Sequence, residues 1–175
     1  QSIFIKLVRD SPMKNYLFLK GRKKMTDNQS SSDLEKIEAL IKNSIVCRLG
    51  INHGKTPYVV PLSFGYNNNT LYFHSGPKGK KLDLLRAGPY VCFEFDRVTQ
   101  VIEAKNPCSW DMKFQSIIGT GKIEFIEKIE DKIKALKIII SQYTDRQMKI
   151  PEAQFKATIV FQLAIDNMTF KQNSA

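Results

Sequence analysis

The stretch Tyr72–Leu85, YFHSGPKGKKLDLL, holds the densest set of chemically useful groups in the chain. It places an imidazole (His74) and a hydroxyl (Ser75) before a Gly-Pro-Lys-Gly loop. Two adjacent lysines, Lys80 and Lys81, follow at the start of a leucine-bearing segment. If that segment is a helix, its free N–H groups and positive dipole end favour an anion, and the lysines add charge. By physics alone this is a phosphate cradle. As a motif it is neither a Walker loop nor GxGxxG, and a solvated basic turn is the plain alternative. His74 admits three roles: a hydrogen-bonded structural histidine, a ligand contact, or a haem or metal ligand. His53, beside Gly54, reads as an exposed turn residue.

Other candidates are more isolated. Pro61 falls within an apolar run, Tyr58–Phe64, and cannot donate to a ladder, so an edge or a break is expected there. Trp110, the only tryptophan, follows Pro107-Cys108-Ser109 and has two uses, stacking on a ring or covering a core. Arg48 lies in mid-strand and must face solvent, an ion pair or an anion. No Ser/His/Asp or Cys/His arrangement is visible, so an enzyme built on this chain would borrow its chemistry from a cofactor. Cys47, Cys92 and Cys108 are widely spaced with no CxxC, and read as free thiols of a reducing, cytoplasmic compartment.

The charge is unevenly spread. The 175 residues carry 27 Lys+Arg against 17 Asp+Glu, a net +10. Residues 1–25 hold seven bases and one acid, a net +6, and Lys78–Arg86 adds +3, which leaves the remainder near neutral. Local charge argues against a general polyanion surface. A nucleic-acid binder would interleave exposed aromatics with its bases, whereas Tyr72–Phe73 and Phe93–Phe95 sit in core-like strands. No apolar run approaches the roughly 20 residues of a membrane span. An apolar fraction of 42% excludes a disordered chain.

The elements that must position these residues follow from periodicity. Residues 1–32 read as a partly flexible extension ending in the polar run TDNQSSS, residues 33–170 as one domain, and residues 171–175 as a tail. A capping box at Ser32-Asp-Leu-Glu35 opens a helix to about Asn43. Ile45–Asn52, Thr56–Tyr66 and Thr70–Ser75 form a meander of three strands with turns at His53-Gly54 and Asn67–Asn69. A helix over Lys80–Ala87 stops at Gly88-Pro89. Strands are expected over Tyr90–Asp96, Val98–Ala104 and Phe114–Ile126, the last bent or bulged at Gly119 and Gly121. Ile129, Ile133, Leu136, Ile140 and Tyr143 give the clearest helical period. Pro151 opens a short helical turn, and Thr158–Ile165 is a last core strand. About six mostly antiparallel strands with two or three helices make a mainly β (α+β) domain, a small barrel with helical attachments.

The series CRLGI (47–51), PYVVPLSFGY (57–66), LYFHSGPKGKKLDLL (71–85), VCFEFD (91–96) and QSIIGTGKIEFI (115–126) resembles the flavin-binding split-barrel proteins. The similarity is greatest to the pyridoxamine 5′-phosphate oxidase-related branch that includes nitroimidazole-resistance proteins. It covers Ser44–Ile126 best. It implies a six-stranded antiparallel split β-barrel and a homodimer, with FMN, or FAD, along the dimer interface. By position, Val60, Pro61, Leu62 and Ser63 would run along the flavin ring, mostly through backbone. Phe73, His74 and Ser75 would lie near the ring and ribityl chain, and Lys80 and Lys81 would hold the phosphate. Ser116, Gln115 and Trp110 would complete the site, Trp110 from the partner subunit. The resemblance implies a small flavin-dependent reductase, with His74 as a ring-side polar or acid group and NAD(P)H among its partners. The oxidase's C-terminal arginine/tryptophan pattern is not found in Asn167–Ala175. The alternatives are a haem-binding relative with His74 as ligand, and a flavin-binding protein without turnover.

Overall fold

A computed structural model describes residues 31–146, 151, 155 and 157–173. Residues 1–30 of the expected extension and the Ser32 side chain of the expected capping box lie outside them, while the backbone of Ser31 and Ser32 already belongs to the first helix. The elements run α1 (Ser31–Asn43), β1 (Cys47–Ile51), β2 (Tyr58–Leu62), β3 (Gly65–Asn67), β4 (Thr70–Ser75), α2 (Lys80–Ala87), β5 (Tyr90–Ile102), β6 (Asp111–Ile126), α3 (Ile129–Ser141) and β7 (Ile159–Asn173). Phe155 and Ala157 are helical; the rest of the turn expected after Pro151 lies outside the described residues. None of the described helices is long and apolar enough to cross a membrane.

The seven strands form one antiparallel sheet in the order β2-β1-β5-β6-β7-β4-β3. Where about six were expected there are seven, and the expected runs are divided differently. The run Thr56–Tyr66 is two strands, because the chain leaves β1 after Leu62 and joins β4 from Gly65. That step defines the architecture. β2 and β3 are the two edges of the sheet, yet only Ser63 and Phe64 separate them. Three peptide steps reach at most about 11 Å. The sheet must therefore curl until its edges nearly meet, as a barrel with an open seam at Ser63–Phe64. Pro61 sits on an edge strand, where its missing N–H costs least.

Alternation fills the barrel. Cys47, Leu49 and Ile51 on β1 point inward with Val91, Phe93 and Phe95 on β5. Phe64 meets Phe95 edge-on at 4.9 Å, and Phe73 stacks on Phe161 at 5.3 Å. Such rings bury large apolar areas, and each paired geometry adds about 0.5–1.5 kcal/mol. The β6–β7 register slips between Thr120 and Gly121, where Asp166 is the extra residue. The slip lets Ile165 and Met168 both face inward although their spacing is odd. Gly121 is needed there because a Cβ would lie 2.3 Å from the Ala164 carbonyl oxygen.

Two expected strands, Tyr90–Asp96 and Val98–Ala104, are one strand, and β7 continues to Asn173 where the sequence pattern stops at Ile165. The reason is visible in burial. Beyond Asp96 the β5–β6 hairpin leaves the core, so ladder hydrogen bonds persist without a hydrophobic period to announce them. Val98, Val101, Trp110 and Met112 are each about half exposed on this arm.

Candidate functional site

The seam brings together Ser63 and His74 among the groups singled out by sequence. Ser63 follows the last residue of β2, and His74 is the fifth residue of β4. The curl that brings the two edges together leaves Ser63 Oγ 3.3 Å from His74 Nε2, a hydrogen bond whose direction follows the imidazole tautomer. Alternation turns the His74 side chain outward while Phe73 points into the core with no exposure. Any contact from Phe73 to a ligand outside the barrel is therefore through backbone. Val60 and Leu62 also pack against the core, whereas Val59 and Pro61 face outward on the edge strand. An edge strand presents N–H and C=O groups without a ladder partner on its outer side.

The lysines stand beside this pair. α2 begins at Lys80, after Gly79 at φ +136°, a backbone state that favours glycine. No side chain caps that helix start. Lys80 Nζ lies 5.0 Å from the centre of the Tyr58 ring, a cation–π contact. Lys81 is half-buried, and burial pulls its pKa below the usual lysine range. Among the described residues neither lysine has a carboxylate within ion-pair distance. His74 is also shifted downward, first by burial and then by the charge of Lys81, so the neutral imidazole is favoured. The arrangement is a hydroxyl–imidazole pair and two unmatched ammonium groups beside an uncapped helix start. It fits an anionic ligand with a flat polar portion: the anion at α2, the flat portion against the edge strand and His74.

Trp110, Gln115 and Ser116 make their contacts elsewhere. Trp110 Nε1 donates to the Ala104 carbonyl at 3.0 Å, at the end of the hairpin arm. Gln115 pairs in register with Arg97 and Gln172, and Ser116 with Asp96 and Lys171. Within the sheet, β6 is three strands from β2 and two from β4. Ser75, half-buried at the end of β4, stays close to the loop that leads to α2. A concavity of about 510 Å³ lies between the end of α1 and β5 and includes Ile45, Arg48 and Arg97. Its Arg48 is already matched, to Glu94 at 3.0 Å and Asp96 at 2.5 Å, so it offers less for an anion than the seam.

Sequence reasoning missed Tyr58 and Tyr143. Tyr58 was visible only as an aromatic in an apolar run. Tyr143 fitted the helical period as one more apolar position, yet its hydroxyl is hydrogen-bonded to Phe64 and Ile45.

Comparison with known proteins extends this picture. The family model for pyridoxamine 5′-phosphate oxidase matches residues 33–172. Among solved structures, a candidate 5-nitroimidazole antibiotic resistance protein from Bacteroides thetaiotaomicron is 37% identical. It covers 78% of this chain and 81% of its own, with a TM-score of 0.71. An FAD- and haem-binding protein from Mycobacterium smegmatis shares the fold at 19% identity and a TM-score of 0.73, over 81% of this chain and 71% of its own. An uncharacterised protein of Rhizobium meliloti, RA0666, is 27% identical over 90 residues, 51% of this chain. The match spans about half the length of that curated relative, 52%. The sheet that curls to an open seam, the series of matched segments and the full-domain family match have one explanation: the chain belongs to the pyridoxamine 5′-phosphate oxidase family.

Proposed function

We propose that the chain is a flavin-dependent oxidoreductase that binds FMN at the seam and acts as a small reductase of nitroimidazole-resistance type. One observation carries this reading. Lys80 and Lys81, unmatched by carboxylates, stand at the start of α2 beside the Ser63–His74 pair. A phosphate at α2 answers the lysines and the free N–H groups, and the ring then extends toward Val59–Ser63 and His74. The similarity to the Bacteroides protein supports the branch, and the bound groups named for the Mycobacterium protein support a flavin with haem as the rival ligand.

A bound flavin would supply hydride chemistry between a nicotinamide donor, NAD(P)H, and a small oxidised acceptor. The chain's own residues hold and orient. Lys80 and Lys81 bind the phosphate. The edge-strand backbone faces the polar rim of the ring. Neutral His74, with Ser63 on Nε2, is the ring-side polar group at which a proton is held. The active unit is a homodimer in this reading. The half-exposed Val98, Val101, Trp110 and Met112 of the arm offer an apolar face for a second copy, from which Trp110 would approach the ring.

Anaerobic mixing of the FMN-loaded protein with NADH or NADPH tests the reading. Bleaching of the flavin band, and its recovery on adding a 5-nitroimidazole, is expected. A bound flavin that neither nucleotide reduces would leave the chain a flavin-binding protein without turnover.

A further inference from the structure

The crossover at Ser63–Phe64 has to leave the β1–β2 ladder, and the register shows where. Cys47 pairs with Leu62 in the β1–β2 ladder. One step further would set Val46 opposite Ser63, and the next Ile45 opposite Phe64. That last pair is not made directly. The Phe64 N–H donates to Tyr143 Oη at 2.8 Å, and the same hydroxyl donates to the Ile45 carbonyl at 3.0 Å. A side chain from just beyond α3 stands between two residues that a continued ladder would place face to face.

We propose that Tyr143 is a positioning residue, whose hydroxyl bridges Ile45 and Phe64 just beyond the paired ends of β1 and β2 and thereby holds Ser63 against His74. The neighbours of Ser63 are held, but the peptide between Ser63 and Phe64 lies outside the ladder. Leu62 is still in the ladder, and the Phe64 ring is buried against Phe95. Gly65 lies so close to α3 that a Cβ would meet the Ile138 carbonyl at 2.6 Å. With both flanks fixed, the Phe64 N–H is the remaining handle on the crossover. Only a protonated hydroxyl both accepts from an N–H and donates to a carbonyl, and only a long, rigid side chain brings one from α3. Burial keeps the phenol protonated by raising its pKa.

The adjacent Gln142 provides a control. Its side-chain amide donates to the carbonyls of Ile41, Lys42 and Ser44 at 3.0–3.1 Å, which closes the end of α1 without touching the crossover. Loss of Gln142 should lower stability only. Loss of the Tyr143 hydroxyl should also release Ser63.

The experiment is an NMR titration of His74 in the full chain, with and without FMN. In Tyr143→Phe the Ser63–His74 bond is lost and the His74 midpoint rises toward that of an ordinary histidine, because a loosened seam admits water. In Gln142→Ala the melting temperature falls and the midpoint stays. Lys81, the charge acting on His74, is untouched in both. An unmoved midpoint in Tyr143→Phe, or an equal shift in Gln142→Ala, overturns the proposal. Amide exchange of the unmutated chain gives a second measure that needs no variant. Phe64 should be protected like a ladder amide, and exchange at the rate of a free loop amide also overturns it. The significance for turnover rests on the flavin reading, but the titration does not. The predicted shift in a chain that fails to bind FMN would refute that reading and leave the positioning role standing.

Discussion

Replacing both lysines at the start of α2 isolates the proposed phosphate end of the site. Lys81 is half-buried and pays part of its desolvation cost before any ligand arrives. A hydrogen bond to a charged group contributes about 1.5–3 kcal/mol, and Lys81 belongs in that range. Lys80 is exposed and held over Tyr58 at 5.0 Å. Its contribution resembles that of a surface ion pair, about 0–1 kcal/mol. Together, Lys80→Ala with Lys81→Ala should cost roughly 1.5–4 kcal/mol of FMN affinity, about ten-fold to several hundred-fold in Kd. Fluorescence titration with FMN and, in parallel, riboflavin gives the difference directly. Riboflavin lacks the phosphate, so its affinity should barely change in the double variant. Raised salt should weaken FMN more than riboflavin in the original chain and level them in the variant. Undiminished FMN binding, or an equal loss for both ligands, would refute the phosphate assignment.

Four further outcomes follow from the same structure. Lys81→Met should raise the His74 midpoint toward its ordinary value without reaching it, because burial is the larger cause of the depression; an NMR titration reads this. With the His74 pKa lowered by folding, the unfolded chain binds more protons in the interval just below about pH 6.5, so stability rises with pH there and His74→Gln should flatten that slope in chemical denaturation. Gly119→Ala should destabilise by roughly 1–3 kcal/mol, since its Cβ would lie 2.3 Å from the Phe93 ring and 2.7 Å from the Asn167 carbonyl; a shift in the denaturation midpoint checks it. Phe161→Ala, which strips the rings of Phe73 and Phe125 of their partner, should cost about 3–5 kcal/mol by the same assay.

Much of the fold was legible because its signals are local. Asn68 and Asn69 take the left-handed conformations of a tight hairpin turn, at φ 47° and 58°, and an asparagine run announces them. The helix Lys80–Ala87 and its stop at Gly88 came from leucine spacing and a glycine-proline pair. What the sequence hid are features set by distant partners. The split of Thr56–Tyr66 into β2 and β3 depends on which edge each half joins, which residues 58–67 do not encode by themselves. The length of β5 and β7 was hidden because the arm has no core face to impose alternation. The site divides the same way. His74, Lys80 and Lys81 lie within eight positions of one another and could be read as a motif. The contact between His74 and Ser63 crosses the seam and appears only once the sheet has curled. Tyr143 was masked by its own regular place in the helical period.

The absorption spectrum of the purified full chain, with mass analysis of whatever it releases on denaturation, tests the central claim most directly. The account predicts the two-banded absorption of an oxidised flavin and the mass of FMN, both lost when Lys80 and Lys81 are replaced. A Soret band from a His74-ligated haem would contradict it, as would a colourless protein that takes up no flavin on reconstitution.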